Sequence, residues 1–216
     1  MDIAFFGSGG LGREVYWTLD AMNKSLPEEK RYRFIGFFDD SVEKGTQISH
    51  YGKVLGGMAE LNAWPTPLAL SVTIGYPRSI QGVVSRITNP NITFPNIIHP
   101  SFLALDPETI EMGKGNIITG DCRMTVDIHI GDFNLLNGFV VFGHDVNIGD
   151  CNVIMQAVRV SGGVTMGNRN LIGTGSIILQ QLTIGNDTTV GAGAVLMTAP
   201  QEGGTYIGNP AKLFRM

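Results

Sequence analysis

The sequence has only two cysteines and four histidines in 216 residues, no block of lysine or arginine, and no uninterrupted apolar stretch of the ~18 residues that would suggest a membrane span. Each shortage narrows the possibilities. A net charge of −4 with scattered cations offers no surface for tracking nucleic-acid phosphates. Anionic ligands must then be met locally, by backbone N–H groups or single side chains. Cys122 and Cys151 stand in no motif and support neither a nucleophile nor a metal site. The start shows no basic segment followed by a long apolar one, and its short apolar run over residues 3–6 reads as a strand. A cytoplasmic protein without nucleic-acid or membrane partners is expected.

Glycine, by contrast, is plentiful: 29 of 216 residues, about twice the usual ~7%. It is distributed over two halves with different periods. Residues 1–100 follow βαβ logic, with strands predicted over 2–6, 34–38 and 68–74 and helices over 12–22 and 79–87. Residues 101–216 repeat every six. From Ile118 through Met124, Ile130, Leu136 and Phe142 to Leu196, fourteen large apolar residues keep one register, and glycine follows many of them. With such residues at about a third of a chain, a run of this length arises by chance on the order of once in a million.

Six residues suit a short strand and a corner. Three such units close a triangular coil of eighteen, and coils stack about 4.8 Å apart as parallel strands. The aliphatic residue points inward, and the glycine after it is expected to permit the corner. Cys122 falls at an inward position, whereas Cys151 points out of the coil.

The hexapeptide pattern, ending in Tyr206-Ile207-Gly208-Asn209-Pro210-Ala211-Lys212, resembles that of the left-handed β-helix acetyltransferases. Together with Gly7-Ser8-Gly9-Gly10-Leu11-Gly12-Arg13-Glu14, Phe38-Asp39-Asp40, Ile98-His99-Pro100-Ser101 and Gly143-His144-Asp145, the whole chain is similar to the bacterial sugar acetyltransferases related to sialic acid O-acetyltransferase and the bacillosamine-pathway N-acetyltransferase. The resemblance implies a Rossmann-like α/β acceptor domain over residues 1–100, then a left-handed parallel β-helix over 101–216. It also implies acetyl-CoA as cosubstrate, no metal, and a homotrimer. Flat coil faces and outward apolar residues such as Leu135 and Phe139 point to the same assembly.

Acetyl transfer from a thioester needs a base for the attacking group and a donor for the oxyanion. His144 and Gly162 are eighteen residues apart, so flat coils put the Gly162 backbone about 5 Å above His144. The resemblance makes His144 the general base with Asp145 as its support; otherwise His144 is an ordinary corner histidine. His129 is half a unit out of phase, His99 belongs to the junction, and His50 to a polar loop.

The glycine loop fits G-x-G-x-x-G between a strand and a helix and could cradle a diphosphate. The resemblance assigns Gly9, Gly10, Leu11, Asp39, Asp40 and Gly75 to a nucleotide-sugar, and Val153, Thr174 and Ala192 to coenzyme A in a groove between protomers. Leu11 and Val153 stand where some relatives carry histidine. The main expectation is acetylation of the amine of a nucleotide-linked amino sugar. The alternatives are O-acetylation of a sugar such as sialic acid, a solenoid that binds or scaffolds without catalysis, and, resting on the glycine loop and Asp39 alone, a nicotinamide oxidoreductase.

Overall fold

A computed structural model describes residues 1–215. Its first part contains β1 (Asp2–Phe6), α1 (Gly10–Ser25), β2 (Arg33–Phe38), β3 (Gln47–Ile48), β4 (Gly52–Gly56), α2 (Met58–Asn62), β5 (Leu68–Val72), α3 (Pro77–Val84) and β6 (Ile92–Thr93). The strands form one sheet in the order β3-β4-β2-β1-β5-β6, parallel except for the β3–β4 hairpin. β1 and β5 lie inside the sheet and are apolar almost throughout, as strands covered on both faces must be. Among the described residues no helix is long and apolar enough to cross a membrane.

The second part is a left-handed parallel β-helix. Its three sheets carry eight, six and five strands, and between the first coil and the C-terminal strands each strand pairs with the one eighteen residues on, as Val141–Phe142 does with Arg159–Val160. The predicted inward residues, Phe142, Ile154 and Ile172 among them, are fully buried. The first strand of the first sheet is Ile97–Ile98, paired with Ile117–Ile118.

The glycines after the inward residues do a different job from the expected one. Gly131, Gly143, Gly149, Gly167 and Gly185 do not have positive φ. A Cβ on Gly143 would come 2.7 Å from the Gly162 nitrogen, so the spacing between coils is what excludes a side chain there. The left-handed residue comes two positions later, once per unit: Asp121, Asp127, Phe133, Phe139, Asp145, Cys151, Ala157 and onward to Gly193, with φ between 54° and 70°.

Within one corner runs a buried ladder of amides. The N–H groups of Asn134, Asn152, Asn170 and Thr188 each donate 2.8 Å to the side-chain oxygen of the asparagine one coil before. The Asn152 and Asn170 side chains also donate to the backbone carbonyls of Gly167 and Gly185. These corners would otherwise bury unpaired polar groups.

The α/β sheet and its helices sit on one face of the coil. Ile97, Ile117, Leu135 and Val153 point out of the coil yet are at most 2% exposed, and they share a core with Phe5, Phe37 and Leu70. Leu135 is therefore part of an intrachain seam and cannot contribute to a subunit contact as expected. Cys151 is likewise covered, at 6% exposure.

Candidate active site

His144 lies at the corner between strands Val141–Phe142 and Val146–Ile148. The left-handed turn at Asp145 (φ 55°) brings its carboxylate back to the ring, with Oδ2 2.6 Å from His144 Nδ1. A carboxylate accepts from Nδ1–H, so the imidazole keeps its basic lone pair on Nε2. Both side chains face solvent, 67% and 64% exposed.

Gly162 is the next rung. The Gly163 N–H donates to the His144 carbonyl at 2.8 Å, and a Cβ on Gly162 would stand 2.6 Å from His144 Nε2 and Cε1. The ring thus lies against the bare Cα. The Gly162 N–H has no hydrogen-bond acceptor among the described residues. A basic nitrogen and an open donor meet on one exposed corner.

Thr174 and Ala192 form a row at another corner together with Gln156, eighteen residues below Thr174. Thr174 Oγ1 donates to Gln156 Oε1 at 3.2 Å, and Gly193 N–H to the Thr174 carbonyl at 2.8 Å. Val153 does not join them. It belongs to the row of Leu135 and Leu171, half a unit out of phase, and is fully buried beneath the α/β sheet. Its side chain cannot touch a ligand from solvent, which corrects the expectation.

At the α/β end, Gly7 (φ 115°) leaves β1 in a conformation suited only to glycine, and a Cβ there would approach the Thr73 carbonyl to 2.7 Å. Gly12 is equally closed, against the Gly7 carbonyl. Gly9 has nothing within 4 Å of a Cβ position and Gly10 only the Arg13 guanidinium, so the backbone there is open to close approach. The Leu11 side chain borders Gly75, which joins this loop to the one after β5.

Asp39 works differently from a ribose ligand. Oδ2 accepts from Ser8 N–H and Oγ at 2.9 and 2.7 Å, and Oδ1 from Ser41 N–H and Oγ at 2.9 and 2.6 Å. Burial raises its pKa, but these four bonds outweigh that and bring it to about 2. Asp39 clamps the glycine loop to the end of β2. Asp40 is committed as well, accepting from Met58 N–H and from Arg86, each at 2.8 Å.

Sequence reasoning missed the groove between α1 and the coil, about 350 Å³, lined by Glu14, Trp17, His99, Asn137, Phe139 and Gln156. Its signal was available, since Gln156 repeats with Thr174. His129 faces Glu111 at 3.3 Å on another coil face, and His50 stacks on Tyr51 with ring centroids 4.1 Å apart. Among the described residues neither hydrogen-bonds to His144, whose ring partner is Asp145.

The profile of the PglD N-terminal domain matches residues 2–87. No curated protein sequence matches the chain. Solved structures do. A substituted perosamine N-acetyltransferase from Caulobacter crescentus, in complex with CoA and GDP-perosamine, is 25% identical with TM-score 0.87, over 100% of this chain and 98% of that one. WeeI from Acinetobacter baumannii is 26% identical with TM-score 0.87, over 99% and 100%. The acetyltransferase domain of PglB from Neisseria gonorrhoeae, 24% identical with TM-score 0.78 over 99% of each, shares the fold. Residues 2–87 thus match the PglD N-terminal domain, and the whole chain shares its fold, end to end, with the perosamine N-acetyltransferase and WeeI.

Proposed function

We propose that this protein transfers the acetyl group of acetyl-CoA to the amine of a nucleotide-linked amino sugar. The observation that carries the reading is the His144–Asp145 pair beneath Gly162, in a chain that aligns end to end with a structure holding CoA and GDP-perosamine. His144 Nε2 takes the proton from the sugar amine as the nitrogen attacks the thioester carbonyl. Asp145 holds the ring tautomer and stabilises the imidazolium. The Gly162 N–H donates to the oxyanion of the tetrahedral intermediate. On collapse the C–S bond breaks, and the proton on His144 passes to the departing thiolate.

Residues 1–100 would hold the acceptor and 101–216 the donor, with Thr174 and Ala192 along the CoA path and Gly9, Gly10, Leu11 and Gly75 around the nucleotide. The setting is the cytoplasm, where acetyl-CoA and nucleotide-sugars occur together.

A homotrimer completes the proposal. One coil face is roofed by the α/β domain, and a second presents Glu111, His129, Asn147, Thr165 and Thr183. The third displays the row Leu103, Arg123, Val141, Arg159, Ile177 and Val195, flanked by the exposed Leu179 and Met197. Exposed aliphatic residues alternating with two arginines on one face, repeated on identical chains, support closed cyclic association. Sedimentation at micromolar concentration tests this, and a monomer would refute it.

The activity test is release of CoA thiol from acetyl-CoA with a panel of nucleotide-linked amino sugars, run beside free sialic acid as the hydroxyl acceptor. Turnover with an amino sugar supports the reading. Turnover with sialic acid alone assigns the enzyme to O-acetylation.

A further inference from the structure

Asp187, at a left-handed coil corner, binds two guanidinium groups. Arg169, one coil below, meets it with two bonds, 3.0 and 2.7 Å, and both side chains are three-quarters buried or more. Arg78 adds a single bond from Nε at 3.2 Å and is 71% exposed. The carboxylate's charge is already matched by the bidentate Arg169, so Arg78 contributes a surplus positive charge. It is also the only ion pair among the described residues that joins the α/β part to the coil.

The position of that surplus charge matters. Arg78 follows Gly75, Tyr76 and Pro77 at the end of β5, and Gly75 borders Leu11 of the glycine loop. Tyr76, Arg78, Arg169, Leu171, Asp187 and Thr189 surround a cavity of about 260 Å³ between this loop and the coil. Across the glycine loop, a second guanidinium, Arg13, lies 3.9 Å from the Cβ position of Gly10 and has no carboxylate partner among the described residues. Nothing in the His144 chemistry uses either cation. A loosely held arginine beside an open glycine loop is suited to a doubly charged phosphate ligand, which it can meet by giving up one weak bond while Arg169 keeps Asp187 neutralised.

We infer that Arg78 is a ligand for the diphosphate of the nucleotide-sugar, released from Asp187 when the acceptor binds. The inference rests on the nucleotide-sugar reading above and adds a specific contact to it. The alternative source of the same chemistry is the diphosphate of coenzyme A, and the experiment separates the two.

Binding of UDP, GDP and CoA to the full-length wild type, Arg78→Ala and Asp187→Asn would be measured by calorimetry, with thermal unfolding as the check on folding. For Arg78→Ala, the Kd of whichever nucleoside diphosphate the wild type binds should rise about tenfold or more, the loss expected for a charge-assisted contact, while the Kd for CoA stays put. In Asp187→Asn the nucleoside diphosphate should bind as well as or better than in wild type, because Arg78 is no longer shared. Equal weakening in both variants would make Arg78 a structural tie and overturn the inference. So would a rise confined to CoA, or no change in Arg78→Ala. A wild type that binds neither UDP nor GDP would instead undercut the nucleotide-sugar reading itself.

Discussion

The imidazole of His144 occupies the space that a side chain on residue 162 would need, with its Nε2 2.6 Å from the Cβ position of Gly162. Position 162 must therefore be glycine for the ring to lie where it does. His144→Ala should lower kcat about 10²–10⁴-fold, the usual contribution of a positioned base, with acetyl-CoA affinity little changed. Gly162→Ala should keep the base but displace it, at a cost of about 10²-fold in kcat. Steady-state kinetics with both substrates varied would check this; near-normal turnover in folded His144→Ala would remove it from the mechanism. Raising the pH should partly restore the His144→Ala variant if the acceptor is an amine, since solvent then supplies the free base.

Asp145→Asn tests the orienting carboxylate 2.6 Å from Nδ1. The amide can still hold the ring, but it stabilises the imidazolium less. The fall in kcat should be smaller than for His144→Ala, with both KM values near wild type. A larger fall than on removing the base would contradict the assignment.

Gly10 is open in the glycine loop, with only Arg13 beside it. Gly10→Leu should raise the acceptor KM and leave acetyl-CoA binding intact. Equal loss of both substrates would show that the acceptor and donor sites are not separated as proposed.

The four bonds to Asp39 make a pH prediction. Its folded pKa, about 2, lies below the ordinary 3.8. The ionised form therefore stabilises the fold above about pH 4, and that contribution fades as pH falls toward 2. Asp39→Asn should melt below wild type at neutral pH, with the difference closing across that interval. Thermal unfolding at stepped pH would show it, and a constant difference would argue against a role for the charge.

The amide ladder predicts a local cost. Asn152 accepts from Asn170 and donates to Asn134 and Gly167. Asn152→Ala leaves buried partners unsatisfied at about 1–3 kcal/mol each, so a clear drop in chemical-denaturation midpoint is expected. An unchanged midpoint would mean that water replaces the amide.

The solenoid, its register and the His144–Gly162 stack were legible because inward residues recur every sixth position and coils every eighteenth. That arithmetic distinguishes the inside of the coil from the outside, and nothing more. It could not show that Leu135, Cys151 and Val153 are roofed by the α/β sheet, because the roof lies more than a hundred residues earlier in the chain for much of that core. The Asp39 clamp depends on Ser8 and Ser41, polar residues whose spacing carries no periodic signal. β3, α2 and β6, only two, five and two residues long, were too short for any pattern to mark. Glycine placement was visible, but its cause was not: backbone clearance between coils and left-handed φ fall on different positions.

Residues 201–213 fold over the upper coil edges. Lys212–Leu213 turns back antiparallel on Thr205–Ile207, Val195 exchanges hydrogen bonds with Gly208 and Ala211, and Glu202 closes over Asn186. An uncovered coil edge is a template for further parallel strands, including those of another molecule. This antiparallel fold-back interrupts that template, so the same residues that complete the coil also act against end-to-end polymerisation into fibres.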